Sequence, residues 1–471
     1  MLPSVESIRR KSVVGISRTW RDIKGKARRR LKGRIHPDLP KEDMEYIRAR
    51  MTECVEGKGG EVKARARTEE LGLVYKSLSR RGKKVFLRRL ACDFTTDADS
   101  IISTLEAFKE ASGESSRLEL EHRLRKTLDF PRLLILKQFN TLPDGFKFLV
   151  DMRADLLELG RGDPFMESLE KDLKYLLNNW FDIGLLDLAE ITWESPAILL
   201  EKLIQYEAVH EIKSWSDLRD RLDSDRRCFA FFHGKMVYEP LIFIEVALTR
   251  GIARGIHELL DEKDETGDPR EADTAVFYSI NNTQKGLTGI SLGNFLIKRV
   301  VANLSEELPA LKTFVTLSPV PGFRNWLAPR LKDGDLSVFA AHEVLEIAPG
   351  GDGENACHVL LELLDTRWHE NDHVRDRLEK ILPRLMARYL LKEKKHGRAL
   401  DPVANFHLSN GARMERINWL ADTSDKGLHQ SAGMMVNYLY SLKDIDDNHE
   451  AYVSDGAIPA SRKVREYARE R

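Results

Sequence analysis

Apolar side chains recur at helical spacing through the first part of the chain and at strand spacing through the rest. After the break at Pro37 and Pro40, Leu71, Tyr75 and Leu78, then Val85, Leu87 and Leu90, then Leu118, Leu120, Leu124 and Leu128 follow the period of an amphipathic helix. Pro131, Pro143-Asp-Gly145 and Gly160-Arg-Gly-Asp-Pro164 punctuate this stretch with turns. The pattern predicts a helical domain over residues 38–190. From Trp193 the texture changes. Cys228-Phe-Ala-Phe-Phe-His233, Pro240 to Leu248, Thr274 to Ile280 and Thr313 to Ser318 are short, aromatic and β-branched, as strands are. Helical stretches alternate with them, notably Asn294 to Leu304 and Thr366 to Lys395. The expectation is an α+β multidomain protein: a basic tail (1–37), a helical bundle suited to packing or oligomerisation (38–190), and an α/β domain (191–460).

Composition narrows the function classes. Lys plus Arg equals Asp plus Glu at 75 each, so no global field favours nucleic acid or an anionic membrane. The longest apolar runs are strand-sized and contain a charge, which argues against a transmembrane helix. Four cysteines, Cys54, Cys92, Cys228 and Cys357, lack metal or disulfide spacing and fit a reducing compartment. The basic run from Arg9 to Arg34 has no apolar signal core; it reads as a solvated, disordered or loosely helical tail, the alternatives being a transit peptide or an anion-binding arm, and the C-terminal Tyr467-Ala-Arg-Glu-Arg471 is not the peroxisomal address. Cytoplasm is the expected compartment.

Candidate chemistry sits in four places. Gln284 to Asn294, between a strand and a helix, carries Gly286, Gly289 and Gly293, which suits close approach to a phosphate but equally an ordinary turn. It matches neither the Walker A nor the dinucleotide pattern. Ser318 follows Thr316 on one strand face and is cut off by Pro319 and Pro321, presenting a hydroxyl at a strand end. His369-Glu-Asn-Asp-His373 has zinc-helix spacing, but its charged neighbours point to a solvated helix start. In Asp401 to Ala412, a strand reading places Asn405, His407 and Ser409 on one face; the alternatives are a proton donor or a cross-strand hydrogen bond. Asn437, Tyr438 and Tyr440, on an expected helix from His429 to Tyr440, either close a pocket or pack a core.

Five segments in order resemble the malonyl-CoA decarboxylase family: Phe277-Tyr-Ser-Ile280, Gly293-Asn-Phe-Leu-Ile-Lys-Arg299, Leu317-Ser-Pro-Val-Pro-Gly-Phe323, Asn405-Phe-His-Leu408 with Asn410-Gly-Ala412, and Arg416-Ile-Asn-Trp419. The resemblance spans residues 38–445. It implies a helical domain followed by a catalytic domain like the GNAT acetyltransferases, homodimers or homotetramers, and conversion of malonyl-CoA to acetyl-CoA and carbon dioxide without metal or biotin. By resemblance the catalytic pair falls on Ser318 and His407, with Tyr440 part of the site. The acyl-CoA loop falls on Thr288, Gly289, Ile290, Ser291, Leu292, Gly293 and Asn294. Ser291 is a departure, since animal members carry glutamate there. Two other readings remain: a GNAT-like acyltransferase using an acyl-CoA, and a non-enzymatic interaction scaffold.

Overall fold

The computed structural model describes residues 35–57, 60–260, 266–290, 296–348 and 352–469. The basic run from Arg9 to Arg34 therefore lies outside the described residues. The described residues form two compact units, one within Met1–Ala189, Phe231–Ile242 and Asn282–Leu292, the other within Glu190–Ala230, Phe243–Asn281 and Gly293–Arg471.

Among its described residues the first unit is built on eight helices, α1 Lys41–Val55, α2 Gly60–Ser77, α3 Arg80–Asp93, α4 Ala98–Glu110, α5 Glu114–Leu128, α6 Pro131–Phe139, α7 Gly145–Leu159 and α8 Pro164–Trp180. Helix α8 shows how the sequence sets them. Asp163 accepts the Phe165 and Met166 amides, Pro164 starts the first turn, and Met166, Leu169, Leu173, Leu176 and Leu177 bury one face. Two arginines are buried with it. Arg132 reaches Asp172, Ser168 and the Ala91 carbonyl, while Arg153 reaches Glu170 and donates to the Gly286 carbonyl at 2.6 Å. Gly286 has no room for a side chain, because a Cβ there would lie 1.8 Å from the Val150 carbonyl oxygen. No helix among the described residues is long and apolar enough to cross a membrane.

Eight strands make one mixed sheet: β1 Leu186–Ile191, β2 Arg226–His233, β3 Pro240–Thr249, β4 Thr274–Asn282, β5 Thr313–Thr316, β6 Ser318–Pro319, β7 Arg413–Asn418 and β8 Met435–Leu439. The order runs β1-β2-β3-β4-β5-β8-β6, with β7 on the other side of β8. β4 and β5 are parallel, from Thr274 opposite Thr313 to Phe277 opposite Thr316. β8 is antiparallel to both β5 and β6, so Met435 faces Pro319 and Leu439 faces Val315. Alternation then sorts the side chains. Val276, Tyr278, Val315, Leu317 and Met435 join one buried apolar cluster with Ile256, Leu259 and Ala421. Thr316, Ser318, Tyr438 and Tyr440 belong to the opposite face.

The four strands and the two helical stretches read from the pattern are present, the helices as Leu296–Glu307 and Asp372–Lys392. The expected helix from His429 to Tyr440 is not. A helix covers Asp425–Ser431, Ala432 and Gly433 take positive φ of 50° and 75°, and the chain turns into β8. Gly433 is the break in the pattern. Because β8 is central it is buried on both faces, so its apolar run lacks the alternation that marks a half-buried strand.

Candidate active site

His407 lies on a helix, Pro402–Ser409, not on the strand its polar alternation suggested. The reason is local: the Asp401 side chain accepts the amides of Val403 at 2.9 Å and Ala404 at 3.0 Å, and Pro402 occupies the first helical position. Ala404, His407 and Leu408 then share the buried face at helical spacing.

That face meets the sheet. The His407 Nε2 lies 2.9 Å from the Ser318 hydroxyl, and its Nδ1 lies 2.8 Å from the Tyr440 hydroxyl. Ser318 donates onward to the Thr316 hydroxyl at 2.9 Å, which also accepts the Tyr438 amide at 3.2 Å. The Tyr438 ring stacks on the imidazole with centroids 4.5 Å apart and planes inclined 24°. His407 and Tyr440 are each 2% exposed and Ser318 6%.

One hydrogen arrangement gives the tyrosine, the imidazole and the serine an acceptor each. Tyr440 O–H donates to Nδ1, Nε2–H donates to Ser318, and Ser318 donates to Thr316. The opposite tautomer would have Nδ1–H donate to the tyrosine and leave that hydroxyl's own hydrogen to find another acceptor. Burial alone holds the imidazole down to about 3 and pushes the Tyr440 hydroxyl well above its ordinary range. Both groups are therefore neutral near pH 7, and a proton can move along the chain without a fixed counter-charge beside it.

Two supports hold this geometry. Thr316 has its carbonyl bonded to the Asn437 side chain at 2.7 Å, and Asn437 in turn accepts from Asn418 at 2.8 Å and Arg416 at 3.1 Å. These sit where β7 and β8 slip register between Asn437 and Tyr438. The second support is Asp401, whose other oxygen accepts the Gly322 amide at 3.1 Å, just past the Ser318 turn. Neither this role of Asp401 nor Thr316 as a hydrogen-bond partner follows from strand alternation. The Asp-Pro pair of a helix start was the available signal for the first; the second depends on a strand pairing far along the chain.

Of the expected acyl-CoA loop, Thr288, Gly289 and Ile290 are described; Ser291, Leu292, Gly293 and Asn294 lie outside the described residues. Gly289 has φ +71°, and the Lys174 ammonium sits 3.3 Å from where its Cβ would be, placing positive charge beside the loop. At the zinc-like spacing, His369 belongs to a 3-10 turn, and Asn371 caps a helix that starts at Asp372. The two histidines therefore do not share a helix face, and no group of three or more His, Cys, Asp or Glu suited to a metal ion occurs among the described residues.

Comparison with known proteins gives the family. The malonyl-CoA decarboxylase N-terminal domain matches residues 94–181 and the C-terminal domain residues 184–471. A mitochondrial malonyl-CoA decarboxylase of Anser anser anser is 37% identical over 85% of this chain and 83% of its own length. That of Rattus norvegicus is 40% identical over 80% of each. A solved malonyl-CoA decarboxylase structure from Rhodopseudomonas palustris superposes with a TM-score of 0.82 at 41% identity, covering 90% of this chain and 99% of the other. The protein is a carboxy-lyase. The chain belongs to the malonyl-CoA decarboxylase family.

Proposed function

We propose that this chain converts malonyl-CoA to acetyl-CoA and carbon dioxide, and that Ser318, His407 and Tyr440 carry the chemistry. The observation that supports the residue roles most is the continuous hydrogen-bonded chain from Tyr440 through His407 to Ser318. In a malonyl thioester the bond between the α-carbon and the carboxylate breaks, and its electron pair moves onto the α-carbon and the thioester oxygen. The thioester is thus its own electron sink, and neither metal nor biotin is needed in the proposal. Ser318 turns its hydroxyl from Thr316 to the carboxylate and holds it out of the enolate plane. His407 gives its Nε2 proton to the α-carbon, directly or through Ser318, as Tyr440 passes one to Nδ1; once the products leave, water entering the emptied site reprotonates Nε2 and Nδ1 returns its proton to the tyrosine oxygen. The amides of Thr288 to Asn294 and the Lys174 ammonium bind the phosphates of the carrier, a handle remote from the reacting bond.

Purified protein given malonyl-CoA and no acceptor should release carbon dioxide and acetyl-CoA in equal amounts, undiminished by chelator or avidin. Turnover that requires an amine acceptor would instead favour the acyltransferase reading. Turnover in neither assay would leave the scaffold.

Association through the helical unit belongs to the same proposal. Helix α5 buries none of its residues, and Ile102, Leu105, Leu118 and Leu128 on α4 and α5 are exposed, as a face covered by another copy would be. Sedimentation should show a homodimer or homotetramer, dissociated by charged substitutions at Leu118 and Leu128. We keep the cytoplasm as the proposed compartment, although relatives carry "mitochondrial" in their names; recovery of the native protein in a mitochondrial fraction would overturn it.

A further inference from the structure

Asp401 is a buried carboxylate with a donor pair on each oxygen. Oδ1 accepts the amides of Val403 and Ala404, which start the helix carrying His407. Oδ2 accepts the Gly322 amide at 3.1 Å and faces the Tyr389 hydroxyl at 3.4 Å. Gly322 follows Ser318-Pro-Val-Pro321, two prolines of which fix the backbone between the serine and that amide. Ser318 and His407 lie 89 positions apart in the chain, yet Asp401 is six residues before one and tied four residues after the other. The surroundings leave little slack. A Cβ on Gly322 would sit 2.1 Å from the Tyr389 hydroxyl, and the Tyr389 ring packs against Trp326 and Phe323 of the helix that Gly322 opens.

We propose that Asp401 is the positioning residue that sets the distance between Ser318 and His407, one oxygen holding each side; this rests on the decarboxylase reading of the site. It touches no reacting atom. Its carboxylate acts by fixing two short backbone segments that carry the reacting side chains. Misplacement of such groups by about 1 Å costs on the order of a hundredfold in rate.

Asp401→Asn separates the two duties. The amide oxygen keeps the helix cap, while the amide nitrogen is set against the Gly322 N–H, donor against donor. Expected are a kcat lowered about ten- to a hundredfold, an unchanged KM for malonyl-CoA, and a cooperative thermal transition. In a Ser318→Ala background the same change should cost little further, since the geometry it guards is already lost. A crystal structure of Asp401→Asn gives an answer independent of turnover: the Ser318 to His407 separation should open from 2.9 Å to beyond hydrogen-bond reach. An unchanged separation, or an equal loss of kcat with and without Ser318, overturns the proposal. If the separation opens but Ser318→Ala itself turns over normally, positioning stands and the assignment of chemistry to Ser318 falls.

Discussion

In the sheet unit, Arg221 is buried with three carboxyl groups around it, whereas Ser318, His407 and Tyr440 are buried with none bonded to them. Arg221 donates to Asp217, Glu245 and the carbonyls of His210 and Glu211, and Glu207 nearby accepts from Ser279, Asn281 and two backbone amides. Every arginine nitrogen is committed, so the guanidinium is not free to meet a substrate. In the other cluster the bonds run between neutral hydroxyls and an imidazole, each of which can exchange donor for acceptor. Burial is common to both. What separates a scaffold from a site is whether its hydrogen bonds can be redirected at low electrostatic cost.

That contrast breaks in measurable ways. His407→Asn should lower kcat by about a thousandfold, the scale of general acid catalysis, with the thermal midpoint little changed. Arg221→Met should do the opposite. It leaves buried carboxyls without their partner and should cost about 3–5 kcal/mol of stability in denaturant unfolding, while the folded fraction keeps its kcat. Tyr440→Phe removes the donor to Nδ1 and should lower kcat by roughly tenfold with KM unchanged; an unaltered kcat would take Tyr440 out of the proton path.

The pH responses sharpen the comparison further. Because burial holds His407 near 3, the folded chain binds one proton fewer than the unfolded chain between there and the ordinary histidine range of about 6.5. Stability therefore falls as pH drops through that window, and kcat/KM should show no histidine inflection around neutrality. At Glu245, burial and then the Glu207 carboxylate push the carboxyl up to about 8 against the pull of Arg221. There the folded chain holds an extra proton, so stability falls as pH rises from the ordinary carboxyl range through about 8. The smallest effect belongs to Glu245→Gln, which should flatten that fall in Tm and leave kcat unchanged.

Much of this was legible in the residues. The two-residue period put Thr316 and Ser318 on one face at a strand end, and the change of texture at Trp193 separated helical from mixed regions. His407 stands out by its polar neighbours, but it lies on a helix and not on the strand they suggest. Eight residues can satisfy a strand alternation and a helical face at once, and only Asp401-Pro402, read as a cap and first turn, decides between them. The partnership of Ser318 with His407 could not be read at all from local pattern, because it depends on how a helix distant in the chain docks on the sheet. Ordered family motifs supplied it in advance of geometry.

The helix carrying His407 spans Pro402–Ser409, well short of the ~12–15 residues at which an isolated helix begins to hold in water. Its register is borrowed from Asp401, the sheet beneath it and the turn beyond Ser318. During refolding, helical dichroism from the long segments should return first and decarboxylase activity last, because the imidazole has no fixed orientation until contacts distant in the chain have closed. Partly assembled chains would then be catalytically silent, so activity doubles as a report on completed folding.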